Sequence, residues 1–290
     1  MGTLLHGVDF TSAPSRRKPI TVADGRIDAG RGGAVLHLER IEALPELDAF
    51  DRWLRRPGPW LAACDFPFGL PRALLAELGW PHRPGRGESA WAASIRHLAA
   101  MSRDRMIAQF RAYCDARPAG SRSARRAPAR PAGSSPSMKW VNPPVALMLH
   151  AGAPRLLASG VDLPGLHPGD PRRVVLEGYP GYVARALVGR RSYKADDRAR
   201  QTPDRREARE AMIARLERGD HAFGLPLALD AAHRRACIED PAGDLLDAVL
   251  CLVQAAWGWR RRARRYGLPD AIDPVEGWIV SVPAESTRAP

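Results

Sequence analysis

The heptapeptide WLAACDF, residues 60–66, decides the architecture of this chain. Trp60, Leu61, Ala62, Ala63 and Cys64 follow one another without a polar residue, and Pro67 and Pro71 bring the run to an end. A strand with one wet face alternates apolar and polar residues. An unbroken run of this length fits a strand buried on both faces, in a sheet that carries helices above and below. The run stops on a carboxylate, Asp65.

Two other apolar runs end in the same way. Leu4–Phe10 carries Asp9 in GVDFTSAP (residues 7–14), and Arg173–Leu176 leads into Glu177 in VVLEGYPG (residues 174–181). Around them, Pro19–Ala23 and Ala34–Leu38 read as strands separated by the Gly-rich turn GRIDAGRGG, so that the first three strands form an antiparallel meander. Helical spacing covers Leu44–Arg55, Arg72–Leu78, Ala90–Met101, Arg103–Asp115, Tyr182–Val188 and Pro203–Arg218. The longest helical pattern, Asp244–Arg265, ends in a cationic cluster that suits the negative end of the helix dipole, with Gly267 to stop it. Glu276–Val282 reads as a last edge strand. The expectation is an α/β fold: a mixed five-stranded sheet, three antiparallel strands and then parallel ones, with helices on both faces.

The 290 residues, 45% of them hydrophobic, are read as a single domain over 1–290. Between Ala116 and Val161 there is no acidic residue, while Arg117, Arg122, Arg125, Arg126, Arg130 and Lys139 lie among Ala, Gly, Ser and Pro. Residues 117–138 are therefore expected as a mobile basic loop insertion. The net charge of +12 favours a polyanionic partner, nucleic acid above all. Arginine-rich composition alone would give the same surplus. The four cysteines are far apart and form no C-x-x-C pair, and the eight histidines are dispersed. No zinc site is expected, and the thiols read as reduced residues of a cytoplasmic protein. The longest charge-free apolar stretch, Ala248–Trp259, is too short to span a bilayer, so no membrane is expected as a partner.

The carboxylates carry the chemical reading. In open α/β sheets, ligand sites lie beyond the carboxyl ends of the strands, where Asp9, Asp65 and Glu177 fall. Asp244 and Asp247, in GDLLDA, lie three apart near a helix N-terminus and share a face. A gathering of such acids is tolerated when a hard divalent cation neutralises it, and an all-oxygen set favours Mg²⁺ or Mn²⁺. Each acid also has a plainer role open to it: a turn cap for Asp9 or Asp65, a helix N-cap for Asp244, an exposed strand end for Glu177.

GVDFTSAP, ACDFPFGLP, VVLEGYPG and DLLDAVL, in this order, resemble a family of predicted nucleases catalogued as domain of unknown function 429. The resemblance covers about residues 4–283 and implies a ribonuclease H-like fold, with acids on the first and fourth strands and a last one in a helix. It implies Asp9 and Asp65 as strand ligands, Asp247 as the helix ligand and Asp244 as an extra one; Glu177 either joins the catalytic set or holds its strand end in place. The expected activity is divalent-metal-dependent hydrolysis of nucleic-acid phosphodiesters by Asp9, Asp65, Glu177 and Asp247. Thr11, Ser12 and Lys18, in the turn after Asp9, and Arg191 and Lys194, in RRSYKADDR, are the expected substrate-binding residues. Two alternatives stand beside it. One is an ATP-dependent phosphotransferase of the actin or sugar-kinase type, whose phosphate loop the segment Asp9–Lys18 imitates. The other is a non-catalytic nucleic-acid-binding protein.

Overall fold

The computed structural model describes residues 3–30 and 33–284. The chain opens with three strands, β1 (Leu4–Asp9), β2 (Ile20–Gly30) and β3 (Gly33–Leu44), then α1 (Leu47–Leu54), β4 (Trp60–Asp65) and the helices α2 (Arg72–Glu77), α3 (Ala90–Ala99) and α4 (Arg103–Asp115). A short α5 (Ala129–Ala132) and α6 (Val145–Ser159) lead to β5 (Val161–Asp162) and β6 (Asp170–Glu177). α7 (Pro180–Val188), α8 (Pro203–Arg218), β7 (Leu227–Ala228), α9 (Ala231–Glu239) and α10 (Asp244–Arg260) complete the fold.

Among the described residues the sheet has seven strands in the order β5-β6-β4-β1-β2-β3-β7, not five. The mixed character is as expected: β1-β2 and β2-β3 pair antiparallel, while β1-β4 and β4-β6 pair parallel. The two extra strands, β5 and β7, are two residues long each and leave no periodic signal. Two further expectations are corrected. Most of GRIDAGRGG is paired strand, because Gly25–Gly30 continue the ladder against Leu38–Gly33 and Ile27 packs into the core beneath. Glu276–Val282 forms no strand, since Gly277 (φ 71°) and Ser281 (φ 69°) break the extended backbone. Only a single bridge joins Ile279 to Glu177.

The two-sided burial read from WLAACDF is present. Leu5, Leu61, Ala63 and Leu176 face a core built with α7, α8, α9 and α10. Val8, Ala62, Cys64 and Val175 face a second core built with α1, α2, α3, α4 and α6. Successive strand residues point to opposite faces, so this alternation fixes where every acid at a strand end must point. α10 lies tightest on the sheet. A Cβ on Gly7 would collide with the Ala248 carbonyl and the Leu252 amide, so only glycine lets the helix settle on β1.

The segment 117–138, expected as a mobile basic loop, is anchored at several points. α5 lies within it, and Arg126, Ala129, Ala132 and Met138 are buried. Arg117 stacks on the Tyr113 ring and pairs with Glu77. Arg122 and Arg130 remain at the surface. The cationic end of α10 is likewise partly occupied, with Arg261 over Trp257 and Arg262 over Trp259. Among the described residues, no helix is long and apolar enough to cross a membrane.

Candidate metal centre

Asp9 and Asp65 are register partners at the carboxyl ends of neighbouring parallel strands. They follow Gly7 and Ala63 by two residues, so both point to the face covered by α10. α10 brings Asp247 to the same place from its first turn. One carboxylate oxygen from each of the three lies within 4.8 Å of the others. Asp247 is fully buried, while Asp9 and Asp65 are partly open to a cleft of about 820 Å³.

The helix start is held by residues other than those in the cluster. Gly243 takes the left-handed conformation (φ 78°) just before α10, and Asp240 accepts hydrogen bonds from the amides of Ala242 (3.1 Å) and Leu245 (3.0 Å). Asp247 therefore does no capping. Its Oδ1 accepts from the Tyr193 hydroxyl at 2.6 Å, and its Oδ2 accepts from the Lys194 ammonium.

Crowding shows in the electrostatics. Burial and then repulsion from Asp247 push the Asp9 carboxyl well above its ordinary range. The same two causes, in the same order, raise Asp65 to about 7. Lys194 opposes both shifts without cancelling them. The Lys194 ammonium is itself raised well above its usual value: burial works against it, and Asp247, Tyr193 and Asp9 together more than compensate. Three acids and one ammonium leave the cluster short of positive charge, and its all-oxygen donor set suits a hard divalent cation.

The other expected site residues are distributed around this point. Asp244 lines the cleft but lies outside the three converging acids; burial raises its carboxyl, against the pull of Lys18. Glu177 lines the cleft and does not converge with the three. It is the register partner of Cys64, one residue short of Asp65, and so points to the opposite face of the sheet. There it is buried with Arg126, whose two guanidinium nitrogens contact its two oxygens, and it accepts from the Phe68 amide at 3.0 Å. Glu177 is thus held in a buried ion pair at its strand end, apart from the three converging aspartates.

Thr11 and Ser12 border the cleft where the chain turns away from Asp9, while Phe10 anchors the turn against Phe50 and Phe66. The Ser12 carbonyl accepts from Arg103 at 2.9 Å. Lys18 reaches across the cleft mouth to Asp196 at 2.8 Å. Arg191 stands at the rim, 3.8 Å from Glu207. Tyr193 was legible in the sequence only as an aromatic among cations, and its hydrogen bond to Asp247 could not be read from spacing.

Fold and site together define an α/β protein with three aspartates converging beyond the carboxyl edge of a mixed sheet. The chain matches the family described as "Protein of unknown function (DUF429)" over residues 7–271 and belongs to that family. No curated protein and no solved structure matches it.

Proposed function

We propose that the cleft is the active site of a divalent-cation-dependent nuclease of ribonuclease H-like type. The observation that carries this reading is the convergence of Asp9, Asp65 and Asp247, whose carboxylate oxygens lie within 4.8 Å of one another. The fold assignment draws support from the antiparallel meander followed by parallel strands, and from acids on β1, β4 and the last helix.

Asp9, Asp65 and Asp247 would hold Mg²⁺ or Mn²⁺ as oxygen ligands, with Tyr193 keeping the Asp247 carboxylate oriented. When bound, the cation would supply the positive charge that makes water a nucleophile and stabilises a leaving oxygen. The remaining steps belong to the chain. Lys18, Arg190, Arg191 and Lys194 line the cleft and offer donors to phosphate oxygens. The small polar turn Thr11–Ser12 leaves room for a phosphodiester beside Asp9. The cationic rim counters the repulsion that an acidic floor would exert on a polyanion.

Cleavage of labelled DNA and RNA oligonucleotides in Mg²⁺ or Mn²⁺, with chelator as the blank, tests this reading. Cation-dependent cleavage lost in both Asp9→Ala and Asp247→Ala supports it. Activity that survives both substitutions overturns it. Oligonucleotide binding without cleavage would favour the non-catalytic alternative, and a thermal shift with Mg-ATP the phosphotransferase.

A further inference from the structure

Lysine is scarce in this chain. Of 44 cationic residues only three are lysines, Lys18, Lys139 and Lys194. Two of the three, Lys18 and Lys194, line the cleft above the aspartates. Arginine serves nearly everywhere else, Arg190 and Arg191 of the same cleft included, but the cation paired with an acid of the cluster is the Lys194 ammonium. An ammonium is a compact point charge on a flexible stem. A guanidinium is a planar fork that locks onto a carboxylate through two parallel bonds.

Lys194 has a pinned backbone and an ammonium paired with Asp247. Its backbone is pinned on three sides: the Tyr193 carbonyl accepts from Arg209 at 2.6 Å, the Ala195 amide donates to the Pro241 carbonyl at 3.0 Å, and the Lys194 carbonyl accepts from Arg205. Its side chain, in contrast, is 42% exposed although its ammonium rests on a fully buried carboxylate. The stem therefore borders solvent, and the residue lines the open cleft. In its present place the ammonium takes one Asp247 oxygen and the Tyr193 hydroxyl donates to the other, so both oxygens of the carboxylate a cation would need are engaged.

We propose that Lys194 is a displaceable internal counter-ion: it neutralises the aspartate cluster until a divalent cation enters, and then turns outward to take an anionic oxygen of a phosphate ligand. This rests on the cluster being a cation site. It adds that the empty and loaded states are coupled to phosphate binding through a single side chain. The positive charge that protects the acids in one state becomes a substrate contact in the other. Lys18 does not share this role, since its ammonium pairs with Asp196 at 2.8 Å at the cleft mouth.

Two readouts test it. The first is the rate of acetylation of each lysine, resolved by mass spectrometry, in wild-type protein with and without Mn²⁺; Lys18 and Lys139 are the internal references. Mn²⁺ should speed modification of Lys194 severalfold and leave Lys139 unchanged. The second is Mn²⁺ affinity by electron paramagnetic resonance. Lys194→Met should bind Mn²⁺ on the order of tenfold more tightly than wild type, the scale on which a contacting opposite charge acts. Lys18→Met should change it far less. If Mn²⁺ binds wild type with Lys194 reactivity unchanged, or if Lys18→Met tightens binding as much as Lys194→Met, the counter-ion role is overturned and the cation site stands. If Mn²⁺ binds neither wild type nor Lys194→Met, both fall.

Discussion

Gly7 of β1 lies so close under the carbonyl of Ala248 that no side chain fits between them. This contact sets the height of α10 above the sheet. Ala248 follows Asp247 directly, so the contact also sets how far Asp247 stands from Asp9. Gly7→Ala should lift the helix and cost about 1–3 kcal/mol, as overpacking does. Urea denaturation measures the loss. The same variant should bind Mn²⁺ more weakly than wild type although it alters none of the three acids. Unchanged stability would mean that α10 is not pressed on β1 as described.

Asp65 should cost the metal-free protein stability. Burial and Asp247 raise its carboxyl from 3.8 to about 7 in the folded chain. Between these values the folded state holds a proton that the unfolded state has released. Stability from this group is therefore lost as pH rises from about 4 to about 7, and is level above that. Asp65→Asn should melt at a higher temperature than wild type at pH 8 in chelator, and the gain should shrink to nothing toward pH 4. Melting curves across this range check it. A variant less stable than wild type at pH 8 would contradict it.

Glu177 and Arg126 should behave as a structural pair. Both side chains are 3% exposed, and the guanidinium also donates to the Glu276 carbonyl at 2.6 Å. Removing one partner strands a buried charge, which costs about 3–5 kcal/mol. Arg126→Met should therefore destabilise strongly. Adding Glu177→Gln to it should recover part of the loss, a coupling that a double-mutant cycle in urea reads directly. Additive losses would show that the pair is not linked.

Much of this was legible in the sequence. WLAACDF announced its two buried faces because each residue meets a core on one side or the other. Asp9 and Asp65 could be picked out as acids at strand ends, and Asp247 as an acid at a helix start. Glu177 could not be separated from them, because one step of register between β4 and β6 decides its face and no single strand records that step. α6 was not read as a helix because it is apolar nearly all round and carries Pro154 inside. The anchoring of the basic segment escaped for a similar reason. One arginine, Arg126, finds its buried partner 51 residues away, and composition shows only the surplus charge.

The proposed function requires Asp9, Asp65 and Asp247 to act as one cation site. Calorimetric titration of Mn²⁺ into wild type, Asp9→Asn, Asp65→Asn and Asp247→Asn tests it most directly, with circular dichroism to confirm that each variant is folded. One saturable site is expected in the wild type, with a loss of at least about a hundredfold in affinity in each variant, beyond what an outer residue would cost. Folded variants that bind Mn²⁺ as tightly as the wild type would contradict it.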